Sequence, residues 1–495
     1  MGAMDEIRHI VVLMLENQSF DRLLGYLDLA DPAQRLEGLS GAESNPVSPP
    51  ADMTAVPVQR ATSPSVYVTD PGPGHDFEDV NEQLFADRDP RDTSAPRNAG
   101  FVLNYARQLG RDRGRAREVM QCLDPSLVPI ITTLARSFTV CDHWFSSVPG
   151  PTWPNRFFLH AGTAKGFLVT PEVPGQFASQ FWTSPYDMPT IFENLTERGL
   201  TWTVYFDDYA QAFALRRLHP FGDRFQRYEQ FARDIEHGTL PTYAFIEPRS
   251  FSAPGYPAND QHPPHDLLEG EKLIAEVYDT LRADDALWRR SLMLVLYDEH
   301  GGFYDHVSPP RAVPPDSAAR DSGFGFDRLG VRVPAIMVSP WIAEGRVDHT
   351  VYDHTSVPAT IKKMFGLPRF LTARDAAANT LEHNFLSAAR SVPLTNLRRL
   401  LPTARAAAPA TGALSAYQRS LLALAQTLGS PPAAAPGAEA ARHAQAFLQQ
   451  PQSPSGGATR GRKRSWSARA PRSRSTGFRM VGGLSSISPA ARLCR

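Results

Sequence analysis

Ser291-Leu292-Met293-Leu294-Val295-Leu296-Tyr297, running straight into Asp298-Glu299-His300-Gly301-Gly302-Phe303-Tyr304-Asp305-His306, is the stretch that decides the fold. An unbroken aliphatic run of this length fits a strand buried on both faces, as in the middle of an α/β sheet. Ile10–Leu15 and Val333–Val338 read the same way, and Phe138–Cys141, Thr201–Phe206 and Thr242–Ile246 are shorter candidates. Helical patterns lie between them at Ser126–Arg136, Met188–Arg198, Gln226–His237, Gly270–Ala283 and Ser356–Phe365. Strands alternating with helices predict a layered α/β fold around a largely parallel sheet. The Pro-, Ser-, Gly- and Asp-rich segments Asn45–Pro73 and Phe251–Pro264 read as long loops.

Composition bounds the function. Of 495 residues, 51 are Lys or Arg and 52 are Asp or Glu, a formal net charge of −1. A dedicated nucleic-acid binder is not expected at that balance. Three cysteines, Cys122, Cys141 and Cys494, exclude a disulfide framework and form no Cys-x-x-Cys pair. No apolar run approaches the roughly 20 residues of a membrane span. Asp5 and Glu6 precede a six-residue apolar run, unlike a secretory signal, so a cytoplasmic protein is expected as written, or a secreted one if the true N-terminus is longer.

The composition shifts after Leu401. Residues 1–401 are expected to form the catalytic domain, and 402–495 an Ala-, Pro- and Arg-rich, mostly disordered tail with a helix at 414–428. Residues 456–495 hold ten bases and no acid, which leaves 41 bases against 52 acids before them. The body is therefore acidic, at about −11, and the basic tail could make peripheral contact with anionic lipid.

Four segments carry chemistry. Glu16-Asn17-Gln18-Ser19 follows the first buried strand, where α/β sheets bind ligands. Its oxygens suit a divalent cation, although Asn17 or Ser19 could equally cap a helix. Asp298-Glu299-His300 leaves the second strand, and acids leaving a buried strand are costly unless paired or metal-bound; the bland alternative is an exposed polar turn. Ser146–Arg156 places Thr152 between three prolines at the mouth of a helix, as a nucleophile or simply as a cap. Finally, His75, His262, His265 and His354 sit in loops, where imidazoles can bind a phosphoryl oxygen or protonate a leaving alcohol.

Together, Glu-Asn-Gln-Ser-Phe-Asp, Pro-Gly-Pro-Thr-Trp-Pro-Asn-Arg, His-Pro-Pro-His-Asp and Asp-Glu-His-Gly-Gly-Phe-Tyr-Asp-His-Val, in that order, resemble the phosphoesterase family. That family comprises bacterial phospholipases C, plant non-specific phospholipases C and related acid phosphatases, within the alkaline-phosphatase-like superfamily. The resemblance covers about residues 5–390. It implies a three-layer α/β/α, alkaline-phosphatase-like domain with one metal site and a covalent phosphoenzyme. Carried over by position, Glu16, Asn17, Asp298 and Glu299 would hold the metal, and Thr152 would touch it and act as nucleophile. His75 and His262 would contact the phosphoryl group, with His265 or His354 as weaker candidates, and Asn155 and Arg156 would support the nucleophile turn. Gln18 stands where the family usually has Arg.

The expectation is a metal-dependent phosphoric ester hydrolase, leading with a phospholipase C that works through a phosphothreonine. An acid phosphatase acting on monoesters is the rival within enzymes, and a non-catalytic phosphate- or lipid-binding protein the rival outside them. The substrate would be a phospholipid or a small phosphoester. Trp153, Trp182 and Tyr205 are candidates to line a cationic headgroup site. An all-oxygen ligand set fits calcium, magnesium or manganese, with zinc a fourth candidate.

Overall fold

In the computed structural model, residues 3–88, 95–171, 181, 186–317, 323–402 and 414–429 are described. Eight strands form the central sheet: β1 (His9–Leu15), β2 (Thr139–Cys141), β3 (Trp202–Phe206), β4 (Phe225–Arg227), β5 (Tyr243–Glu247), β6 (Ser291–Tyr297), β7 (Ala335–Val338) and β8 (Arg346–Asp348). Their order is β8-β2-β7-β6-β1-β5-β3-β4. Every neighbouring pair is parallel except the two made by β7, which runs antiparallel to both β6 and β2. The two long aliphatic runs lie side by side at the centre, buried on both faces, as their composition requires.

Helices cover the sheet in two groups, giving an α/β/α sandwich. In one, α1 (Thr152–Ala161) contacts α3 (Ser356–Phe365) and the helix Ile191–Glu197. In the other, α2 (Leu267–Arg282) packs on the helix Pro129–Ser137. Buried Glu271 of α2 accepts from the amides of Ile130 and Ile131 and so satisfies the opening turn of that second helix. A further helix, α4 (Ala416–Gly429), buries Tyr417, Leu421, Leu424 and Leu428 in the main core.

The segment expected as a loop over Asn45–Pro73 is partly ordered into strands. Ser44–Ser48 and Asp52–Pro57 form an antiparallel pair, and Gln59–Ala61 pairs with Gln121–Leu123. Proline is tolerated there because these are edge strands with a register shift between Pro46 and Ser48.

The candidate active site

The register of β1 on β6 sets up the site. Leu15 pairs with Tyr297, so Glu16 and Asp298 leave adjacent parallel strands at the same level. Asp298 N donates to Leu15 O at 3.1 Å, and Asp298 Oδ1 accepts from Glu299 N at 2.7 Å and Asn17 N at 3.2 Å. The cap alternatives separate here. Ser19 is the residue that caps the next helix, through Arg22 N. Asn17 instead adopts a left-handed backbone, φ 55°, and both of its buried side-chain polar atoms lack a partner. A strained, unsatisfied polar residue at a strand end is held there by its surroundings and marks a functional position.

The glycines after Asp298 are needed for the same reason. Gly301 has φ 66°, and a Cβ on it would lie 2.3 Å from Asn17 O. Gly302 has φ 75°, and a Cβ there would lie 2.3 Å from the carbonyl of Gly74, the residue before His75. The two glycines let the Asn17 turn and the His75 loop close on the end of β6.

Thr152 opens α1. Pro151 is the capping residue and makes no side-chain cap bond, and Thr152, the first helical residue, donates from Oγ1 to Glu16 Oε2 at 3.2 Å. Its hydroxyl is therefore aimed at the strand ends and is not used as a cap. Asn155 clamps the preceding loop: its Oδ1 accepts from Val148 N, and its Nδ2 donates to the carbonyls of Val148, Gly150 and Pro151. Arg156, fully buried, pairs with Glu16 Oε1 at 2.5 Å and Asp298 Oδ2 at 3.4 Å, and donates to Met14 O at 3.2 Å. It supports the turn and sets one positive charge against two of the expected ligands.

Burial first, and then neighbouring Asp298 and Asp260, push the Glu16 carboxyl well above its ordinary range, against the pull of Arg156. Burial and Glu299 likewise raise Asp298. Crowded buried carboxylates are stabilised by a cation. Among the buried acceptors without a partner are Asn17 Oδ1 and Glu299 Oε1, as well as Gln18 Oε1 and Asp260 Oδ2. With Glu16 Oε2, Asp298 Oδ1 and Thr152 Oγ1, the first two offer an all-oxygen set that fits a hard divalent ion. Among the described residues, the groups of His, Cys, Asp or Glu whose three ligand atoms lie within 4.8 Å of one another are Asp142–His143–His349 and Asp21–Asp305–His306; Glu16, Asp298 and Glu299 are not gathered so closely. The second already encloses a cation, because buried Arg332 pairs with Asp21 at 2.8 Å and Asp305 at 2.9 Å. In the first, Asp142 Oδ1 meets Nδ1 of both histidines, at 2.9 and 3.0 Å.

The four histidines divide into two pairs. His75 and His262 face each other edge-on, 5.6 Å between ring centres, and each bonds a backbone carbonyl through Nδ1, Pro73 O at 3.1 Å and Pro263 O at 2.5 Å. His262 Nε2 is buried without a partner. The other two are committed to the protein. His265 Nδ1 holds Asp260 Oδ1 at 2.6 Å, with Nε2 3.4 Å from Gln418. His354 Nε2 donates to Asp298 O at 2.6 Å, and its Nδ1 accepts from Trp144. Burial, helped by His75, lowers His262 to about 4. His75 also loses by burial, but Glu299 and Asp76 outweigh that and raise it above the ordinary histidine value.

Asp260 belongs to this site and had not been singled out from the sequence. Its carbonyl accepts from Glu16 N, and its Oδ1 holds His262 N and His265. The signal was its place two residues before His262 in Asp-Gln-His-Pro-Pro-His-Asp. The aromatic candidates serve elsewhere: Trp153 donates to Ser420, Tyr205 donates to Asp234, and Trp182 lies outside the described residues.

A threonine hydroxyl, buried carboxylates and two histidines near the carboxyl ends of parallel strands are groups that suit phosphoric ester hydrolysis, and the chain's relatives are enzymes of that class. The chain belongs to the phosphoesterase family, whose model matches residues 7–368. It is 38% identical to non-specific phospholipase C1 of Arabidopsis thaliana over 85% of this chain and 79% of that protein. Phospholipase C B of Mycobacterium tuberculosis is 30% identical over 79% of this chain and 80% of its own. Among solved structures, the lipoteichoic acid synthase LtaP of Listeria monocytogenes aligns with a TM-score of 0.34 and 13% identity, covering 52% of this chain and 70% of that one. No described helix is long and apolar enough to cross a membrane.

Proposed function

We propose that this enzyme is a phospholipase C that cleaves the glycerol–phosphate bond through a phosphothreonine on Thr152, with His75 as acid and His262 as base. The observation that carries this reading is the Thr152 hydroxyl, turned out of its capping role and onto Glu16 Oε2 at 3.2 Å. Glu16, Asn17, Thr152, Asp298 and Glu299 would hold one divalent ion, which supplies Lewis-acid stabilisation of charge on the phosphoryl oxygens.

Thr152 Oγ1 attacks phosphorus in line, and Glu16 Oε2 accepts the hydroxyl proton. The P–O bond to glycerol breaks, and the departing alkoxide takes a proton from His75 Nε2. His75 is fitted for this because Glu299 and Asp76 raise its proton affinity above that of an ordinary histidine. His262 is fitted for the converse. Its Nδ1–H donates to Pro263 O, so the neutral ring presents a bare Nε2. That nitrogen takes a proton from the water that attacks the phosphothreonine; the P–Oγ1 bond breaks, and Glu16 Oε2 returns its proton to Oγ1, which restores Thr152 and the carboxylate. Two titratable groups whose surroundings drive their proton affinities apart make an acid–base pair.

The basic tail at 456–495 lies outside the described residues. Its proposed part is contact with anionic lipid. The test of the whole reading is Thr152→Ala, assayed on p-nitrophenylphosphorylcholine and on p-nitrophenyl phosphate. We expect at least a thousandfold loss of turnover on the diester with the fold intact. Undiminished hydrolysis would remove Thr152 as nucleophile, and a clear preference of the wild type for the monoester would make it a phosphatase instead.

A further inference from the structure

The family match ends at residue 368, yet the site is walled by a helix that begins almost fifty residues later. Helix α4 bridges two parts of the catalytic machinery. On one side Ser420 Oγ accepts from Nε1 of Trp153, the neighbour of the nucleophile, at 2.8 Å. On the other, Gln418 Nε2 donates to Ser250 O at 2.6 Å and lies 3.4 Å from His265 Nε2. Leu421, Leu424 and Leu428 anchor the helix in the core.

Between those anchors stands Tyr417, 4% exposed, with the guanidinium carbon of Arg156 5.8 Å from its ring centre. Nothing described hydrogen-bonds its hydroxyl. Its oxygen is not among the sealed polar atoms that lack a partner, as that of Tyr243 is, so the phenol end is left open to an incoming ligand atom. The phenol sits within electrostatic reach of Arg156, Glu16 and Asp298, the groups around the Thr152 hydroxyl. Arg156 in turn meets Glu16, whose other oxygen accepts from Thr152 Oγ1.

We infer that Tyr417 is a substrate contact, its hydroxyl donating to a phosphoryl oxygen of the bound phosphoester, and that α4 is a working wall of the active site. The inference rests on Thr152 marking the reaction centre. A phenol offers a neutral donor that does not compete with the cation for the carboxylates. The aromatic face beside Arg156 gives the guanidinium an apolar backing that holds it on Glu16 and Asp298.

The test is Tyr417→Phe in the full chain, with a divalent cation present throughout. It removes one oxygen that makes no bond within the described protein, so the melting temperature should hold to about 2 °C. A hydrogen bond to a charged oxygen corresponds to about 10- to 100-fold in affinity. We expect kcat/KM on p-nitrophenylphosphorylcholine to fall at least 10-fold, and inhibition by inorganic phosphate to weaken by a similar factor. Ser420→Ala is the control for helix docking. It should lower the melting temperature and leave phosphate inhibition within about threefold.

Unchanged kcat/KM and phosphate inhibition in Tyr417→Phe would overturn the inference. So would a Ser420→Ala protein that loses phosphate as severely, since docking and not the phenol would then be responsible. Calorimetric phosphate binding to Thr152→Ala, with and without Tyr417→Phe, separates this contact from the nucleophile assignment because it needs no turnover.

Discussion

His160 closes the helix that Thr152 opens, and it should set the acid limit of the fold. The side chain is fully buried against Phe192 and Phe245, and neither ring nitrogen has a partner. Burial, reinforced by Arg156 and His354, pushes its proton affinity down to about 3 from the ordinary 6.5. Between those two values the unfolded chain binds a proton that the folded chain refuses, so stability rises with pH across that window and falls on acidification. At about 1.4 kcal/mol per tenfold in proton affinity, the cost reaches about 3 kcal/mol at pH 4.5. Replacing His160 with Leu removes both the titration and two unsatisfied polar atoms. Urea denaturation at pH 8 and pH 4.5 should therefore find the stability of His160→Leu relative to the wild type about 3 kcal/mol higher at pH 4.5 than at pH 8. Parallel pH dependence in the two proteins would refute the reasoning.

Two further outcomes follow from the site. Gly301→Ala should lower stability by about 2–4 kcal/mol in urea titration and abolish turnover, because its Cβ meets Asn17 O at 2.3 Å and its φ of 66° is left-handed. Exhaustive EDTA treatment should inactivate the enzyme. Separate readdition of calcium, magnesium, manganese and zinc, read by turnover, should restore it with one ion, and Asn17→Ala should raise the concentration required by about tenfold or more.

The parts of the fold that were legible in the sequence are those where one physical requirement dominates. A strand buried on both faces must be continuously apolar, so Ile10–Leu15 and Ser291–Tyr297 announced themselves, and the acids leaving them marked the site. Direction was not legible. Ala335–Val338 has the same aliphatic composition as its parallel neighbours but runs antiparallel, since orientation is fixed by the connections and not by burial. Among the histidines, the family resemblance put His75 and His262 ahead of His265 and His354. That His265 and His354 are spent on Asp260 and on the carbonyl of Asp298 depends on contacts between distant segments. Tyr417 was the least legible, because a helical pattern does not say which neighbour its buried face will meet, and its partner Arg156 lies about 260 residues earlier.

The charges at the strand ends also bear on how many ions the site can hold. Glu16, Asp298 and Glu299 bring three carboxylates, and Arg156 removes one of those charges through its contacts to Glu16 and Asp298. Asp260 does not add to the count, because His265 faces it at 2.6 Å. Two negative charges remain in a site from which water is largely excluded, and one divalent ion balances them. A second would leave an excess positive charge with no further carboxylate to hold it, at a cost of several kcal/mol in so buried a place. With one ion on the attacking side, the leaving oxygen would have no metal partner, and the proton it needs must come from the protein. In the proposed mechanism that proton comes from His75, whose proton affinity Glu299 and Asp76 raise.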